Sequence, residues 1–155
     1  MKITQKITPF LWFDKDARKA AEYYVSVFGN GSKINSLTPL ENTPSGAGAG
    51  TVSVTLAGMD FTFINGGPFM KINEAVSFVI NCENQAEVDY YWEKLSEVKE
   101  AEQCGWLKDK FGVSWQVVPV RLYELLTGKD GAKAARVMQA MLKMKKLNIE
   151  ELENS

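Results

Sequence analysis

Residues 104–119 read CGWLKDKFGVSWQVVP, and the pattern of this stretch decides the fold. Two short β-forming runs, around 102–108 and 113–118, flank Lys108-Asp109-Lys110-Phe111-Gly112, a polar connection ending in glycine. That is the signature of strand, turn and strand. Within SWQVV the period-two alternation puts Ser114, Gln116 and Val118 on one face, and Trp115 and Val117 on the other. A glutamine in an otherwise apolar strand costs roughly 1–3 kcal/mol if it is buried unpaired. Gln116 therefore either faces a wet or ligand-contacting cavity wall, or reaches solvent or a neighbouring partner.

Upstream of this pair, AVSFVIN (75–81) reads as another strand, and Asn84 with Glu87 forms a capping pair for a helix striped by Val88, Tyr91, Trp92 and Leu95. Gly66-Gly67-Pro68 breaks the chain before it, and the same order of elements stands on the far side of that break. ITPFLWF (7–13) is a strand with Pro9 at its start or edge. Asp14 or Asp16 can cap the helix that carries Ala17, Ala20, Ala21, Tyr24 and Phe28 and stops at Gly29. Residues 30–50 are turn-rich, with SGAGAG (45–50) as a flexible loop, and TVSVTLA (51–57) and FTFIN (61–65) form a strand–turn–strand pair. One constant offset lays Tyr23-Tyr24 on Tyr91-Trp92, Pro9 on Ser77 and Phe10 on Phe78. The chain therefore reads as a duplication of βαβββ modules, about 1–67 and 68–120. A helical extension over about 121–155 follows, in which Ala132–Met144 is amphipathic and Asn148 with Glu151 marks a last turn. The expectation is one α+β domain with curved mixed sheets whose concave face offers a pocket.

At 155 residues, with 45% hydrophobic and 24% charged residues, the composition is that of a soluble globular chain. A net charge of −1 gives no global attraction to nucleic acid or anionic membrane. The run Lys143, Lys145 and Lys146 reads as a solvated helix face. No apolar run reaches the ~18 residues that span a bilayer. No secretory signal is visible, and the two cysteines, Cys82 and Cys104, form no CxxC pair, so reduced thiols and a cytoplasmic location are expected.

ITPFLWF with the helix ending in YYVSVFG, NEAVSFVINCENQAEVDYYWEKLSE, CGWLKDKFGVSWQVVP and AARVMQAMLKMKKLNIEELE together resemble the demethylubiquinone methyltransferase-like branch of the vicinal oxygen chelate superfamily. That superfamily includes glyoxalase I, extradiol dioxygenases, and fosfomycin- and bleomycin-resistance proteins. The resemblance spans nearly the whole chain and implies paired βαβββ modules around a U-shaped cavity, in a homodimer. Metal-using members place His and Glu ligands on the first and last strands of each module. Carried over, those positions fall near Pro9 and Ser77, on or near Thr62, and on Gln116. None supplies the imidazole, thiolate or carboxylate that a transition metal wants, and the chain contains no histidine at all. Cys82 and Cys104 do not match the site, so neither a metal nor another cofactor is expected.

The resemblance then implies a metal-free small-molecule binding protein of the bleomycin-resistance kind. Its expected ligand-contacting residues are Trp12 and Trp106 as aromatic walls, Asn65, Ser77 and Gln116 as hydrogen-bonding groups, and Cys104 beside Trp106. Core packing is the competing role for Trp12 and Trp106, and the expected one for Trp92 and Trp115. A second reading is a lyase, isomerase or transferase-like enzyme on a small oxygenated substrate. Without histidine its base or nucleophile would be Asp, Glu, Lys or Cys, with Cys104 the foremost candidate. A third is a structural dimer packed through Met138, Met141, Leu142 and Met144. An S-adenosylmethionine methyltransferase does not fit, because Gly46, Gly48 and Gly50 precede a strand and open no helix.

Overall fold

A computed structural model describes residues 5–155 of the chain, which divides after Ile72 into two units, each with its own sheet. The first unit runs β1 (Phe10–Phe13), α1 (Ala17–Phe28), β2 (Lys33–Pro39), β3 (Gly50–Leu56) and β4 (Met59–Asn65). Its strands lie in the order β1-β4-β3-β2, with β1 parallel to β4 and the other pairs antiparallel. The face carrying Val52, Val54, Leu56, Phe61 and Phe63 is buried, and α1 packs on β3 and β4. Ala17, Ala20 and Ala21 are fully buried, and their small side chains let the helix approach the sheet closely. Phe63 is the centre of this core. Phe13 and Tyr24 meet it edge-on, at centroid distances of 5.2 and 5.8 Å.

The first backbone N–H of α1 is not capped by Asp14 or Asp16, as the sequence suggests. Asn65 Oδ1, at the end of β4, accepts the Ala17 N–H at 2.8 Å, while Asp16 pairs with Lys19. The long turn-rich segment also contains a strand, β2, which the sequence reading leaves as loop. A bulge between Ile34 and Ser36 shifts its register, and nearly all its residues are exposed. The bulge breaks the alternation by which strands are recognised.

The second unit contains β5 (Ser77–Cys82), α2 (Gln85–Leu95), a 3₁₀ turn at Lys99–Ala101, β6 (Trp106–Lys108) and β7 (Ser114–Pro119). The sheet order β5-β7-β6 repeats the first unit's plan: the first strand lies parallel to the last, which is antiparallel to its predecessor. Here the 3₁₀ turn stands where the first unit has β2, so this sheet has three strands rather than four. Asn84 Oδ1 caps α2 by accepting the Glu87 N–H, and the Glu87 carboxylate accepts the Glu83 N–H. Val88 and Leu95 bury the helix stripe.

Three helices follow: α3 (Val120–Thr127), α4 (Gly131–Met141) and α5 (Ile149–Glu153). Val118, Leu122, Leu125, Val137, Leu147 and Leu152 form their shared core, with Met141 and Met144 packed against it. Two of the stripe's four apolar residues stay outside, since Met138 and Leu142 are exposed. The Lys145 and Lys146 ammoniums reach Glu102 and Asp89, at 3.7 and 2.6 Å, so this part of the basic run is paired within the unit.

Asp109, only 1% exposed, organises the turn between β6 and β7. Its carboxylate accepts the Phe111 and Val113 backbone N–H groups at 2.8 and 3.0 Å and the Trp115 indole N–H at 2.8 Å. A buried carboxylate persists only where donors surround it. Asp109→Ala leaves those three donors without this acceptor, each worth about 1–3 kcal/mol when buried unpaired. Urea denaturation of the variant is expected to show a stability loss of about 3 kcal/mol or more, with Asp109→Asn intermediate. A loss below about 1 kcal/mol would contradict this role for the turn.

Candidate functional site

The two faces of the second sheet differ in what covers them. Ile80, Cys82, Leu107, Trp115 and Val117 are buried on the side of α2. The other face presents Ser77 and Val79 of β5, Ser114 and Gln116 of β7, and Trp106 and Lys108 of β6. The register sets them in two rows, Ser77–Ser114–Lys108 and Val79–Gln116–Trp106. Trp106 is half-buried and Val79 exposed. Gln116 Nε2 donates to Ser77 Oγ at 2.9 Å, so the polar group that the sequence singles out finds its partner across the strands.

Along the edge strand β6 lies a cavity of about 740 Å³, within the usual range of ligand sites, roughly 300–1,000 Å³. Cys104, Trp106, Lys108 and Ser114 line it from the sheet side, Val98 and Ala101 from the 3₁₀ segment, and Met141 and Leu142 from the C-terminal helices. Two features hold the wall. Glu102 accepts from Ser96 Oγ at 2.5 Å and from Lys99 Nζ at 2.8 Å, which fixes the segment around the 3₁₀ turn. Lys99 first, then Ser96, holds its carboxyl below the usual range. The Cys104 and Gly105 N–H groups donate to the carbonyls of Met144 and Lys145, at 2.9 and 2.8 Å, docking the tail beside β6. Gly105 is required there. Its φ is +86°, and a Cβ would lie 3.0 Å from Val117 O and 3.1 Å from Leu147 Cδ1.

At the cavity mouth Lys108 Nζ pairs with Glu74 Oε2 at 3.3 Å. The backbone N–H of Glu74 itself and the Lys108 ammonium hold the Glu74 carboxyl below its ordinary value. Lys108 and Ser114 are among the cavity residues that sequence reasoning does not pick out. The alternation does place Ser114 on the same face as Gln116, and that signal was available.

The first unit places its two expected residues differently. Trp12 shares a face with Phe10, Thr62 and Ile64. Its indole N–H donates to Gly67 O at 2.9 Å, and its ring lies against Gly66, where a Cβ would come within 2.2 Å of it. The Gly66-Gly67 turn is thus a seat for Trp12. Asn65 is engaged at the N-terminus of α1. The four residues to which the resemblance carries the ligand positions pair up within each unit: the Thr62 backbone N–H donates to Pro9 O at 3.0 Å, and the Gln116 side chain donates to Ser77 Oγ. This neutral donor set does not fit a transition metal. Among the described residues no three His, Cys, Asp or Glu side chains come together as a metal site.

The sequence matches the family described as 3-demethylubiquinone-9 3-methyltransferase over residues 5–118, which ends within β7 and leaves the three C-terminal helices outside. A PhnB protein from Bacillus cereus bearing the same description is 32% identical, covers 75% of this chain and 100% of its own, and superposes with a TM-score of 0.64. PA1353 of Pseudomonas aeruginosa is 19% identical over 75% of this chain and 98% of its own, with a TM-score of 0.57. The fosfomycin resistance protein FosX from Listeria monocytogenes is 16% identical over 82% of this chain and 100% of its own, also at 0.57. At that identity the last two speak for the fold alone. No curated protein matches the sequence.

The two thiols differ in environment. Burial, aided by the Glu87 charge, pushes Cys82 from about 9.0 up to about 12, whereas Cys104 is partly exposed on the cavity wall. At pH 8 a thiol reagent is expected to label Cys104 and spare Cys82 until the chain unfolds. Because the folded pKa of Cys82 lies above the unfolded one, its contribution to stability is complete below about pH 9 and is lost as pH rises toward 12. Equal labelling of both thiols in the folded protein would contradict the burial of Cys82.

Proposed function

This chain belongs to the 3-demethylubiquinone-9 3-methyltransferase family, within the glyoxalase or vicinal oxygen chelate superfamily, and from that premise we propose that it binds a small organic molecule without a metal. The observation that carries the reading is the cavity of the second unit, where Trp106, Val98, Met141 and Leu142 offer apolar surface beside a few polar groups. An aromatic wall with a small number of orienting polar groups is the usual build of a ligand site. The family's name is not transferred as an activity. SGAGAG connects the antiparallel strands β2 and β3 and opens no helix N-terminus, which a nucleotide-like cofactor would require. We further take the chain to act as a cytoplasmic homodimer, the assembly implied by the family resemblance.

One observation favours a second reading, an enzyme of the lyase, isomerase or transferase-like kind. Cys104 lines the cavity with φ at +51°, in a region that non-glycine residues seldom occupy. Cys104→Ala abolishing a measured turnover would establish that reading, and full retention would remove it.

The binding reading is tested by thermal-shift and calorimetric screening against planar aromatic compounds, quinones among them. A hit is expected to persist in the presence of a chelator and to weaken about tenfold or more in Trp106→Ala. A stoichiometric metal needed for binding, or affinity untouched by Trp106→Ala, would refute it. Light scattering is expected to give a dimer at micromolar concentration, and a monomer would refute the assembly.

A further inference from the structure

Building on the binding reading above, we infer that the cavity selects a carboxylate carried on an apolar, planar body, with Ser114 Oγ and Lys108 Nζ donating to the carboxylate and Trp106 facing the body. Ser114 sits on the central strand, is only 2% exposed and lines the cavity, yet its hydroxyl makes no hydrogen bond with any described residue. Among the described residues the buried side-chain polar atom without a partner is Thr43 Oγ1; the Ser114 hydroxyl is open to the cavity, where water or a ligand oxygen can meet it. A ligand oxygen in the cavity takes the place of that water as the partner of the hydroxyl.

Lys108 stands directly opposite Ser114 in the β6–β7 register, which sets their Cβ atoms about 4.5–5.5 Å apart on one face. The Lys108 side chain is 28% exposed, and its ammonium already holds a carboxylate, that of Glu74, whose own side chain is 71% exposed. A pair so open to solvent is worth only about 0–1 kcal/mol. Glu74 is therefore an exchangeable partner at the mouth, and a ligand carboxylate that takes its place gains Ser114 as well.

The other carboxylate at the wall, Glu100, is exposed, so the cation is the charge set farther inside. Two convergent donors suit a singly charged group with two oxygens. A phosphate, with three oxygens and more charge, would call for further donors. Trp106 lies one step along β6 on the same face as Lys108, with Val98, Met141 and Leu142 across the cavity, and this surface fits a planar hydrocarbon body.

The test is calorimetric titration of the full chain with 2-naphthoate and its neutral isostere 2-naphthamide, for the native protein, Lys108→Met, Ser114→Ala and Trp106→Ala. Native protein is expected to prefer the carboxylate by about tenfold or more. Lys108→Met reduces that preference by about threefold or more and leaves amide binding nearly unchanged, Ser114→Ala weakens the carboxylate more than the amide because the bond to the charged acceptor is the stronger, and Trp106→Ala weakens both probes alike. Ser114→Ala, which removes an unpartnered hydroxyl, is expected to melt no lower than the native protein. Equal affinity for the two probes, or a preference that survives both substitutions, overturns the carboxylate assignment and leaves the binding reading standing. A lowered melting temperature in Ser114→Ala overturns it too, by showing a structural partner for the hydroxyl. Binding of neither probe to native protein overturns both readings together.

Discussion

The Asp109 carboxylate, sealed beneath the turn between β6 and β7, is the interaction on which the second unit's geometry depends. By gathering two backbone N–H groups and the Trp115 indole, it fixes where β6 ends and where β7 begins. That fixes the register Lys108↔Ser114 and Trp106↔Gln116. With the register set, Trp115 is committed to the helix side and Ser114 and Gln116 to the open side, because a one-residue slip would exchange the two faces. The same side chain that satisfies the turn thus determines which residues can meet a ligand.

The C-terminal segment then completes the wall. The N–H groups of Cys104 and Gly105 hold the carbonyls of Met144 and Lys145. Gln85 reaches the same segment, donating to Leu147 O at 3.1 Å and accepting the Ile149 N–H at 2.9 Å. Leu147 is fully buried at the centre of this docking. Met141 and Leu142 are brought to the cavity by these contacts, and they lie beyond residues 5–118, the stretch shared with the family. This part of the wall is therefore supplied by the segment beyond the family match, and on the proposed reading it contributes to selectivity among ligands.

Much of the fold was legible because its elements announce themselves locally. The alternation in TVSVTLA and SWQVV and the Asn84–Glu87 cap are short-range signals, and the structure has them as read. What escaped the sequence depends on distant partners or on broken periodicity. The bulge in β2 erased its alternation, and α3 begins directly after Pro119 with no capping side chain. The α1 cap comes from Asn65, far along the chain, so no local motif could reveal it. The candidate site was legible in the same uneven way. Trp106 and Cys104 do line a cavity, whereas Gln116 is answered by Ser77 across the sheet. A polar group of β7 that does line the cavity is Ser114, one pleat away and far less conspicuous in the sequence.

The donor chemistry at the positions singled out by the resemblance is neutral in both units, while the strand plan is repeated. Pro9, Thr62, Ser77 and Gln116 offer no imidazole, thiolate or carboxylate; the Thr62 backbone N–H donates to Pro9 O, and the Gln116 side chain donates to Ser77 Oγ. On the proposed reading, recognition in the second unit falls to the cavity beside Trp106. Fluorine NMR of protein labelled with 5-fluorotryptophan tests this most directly, because the four indoles report separately. During titration with a bound aromatic ligand the Trp106 resonance should move while those of Trp92 and Trp115 stay in place. A Trp106 signal that remains fixed while another indole shifts would contradict the account.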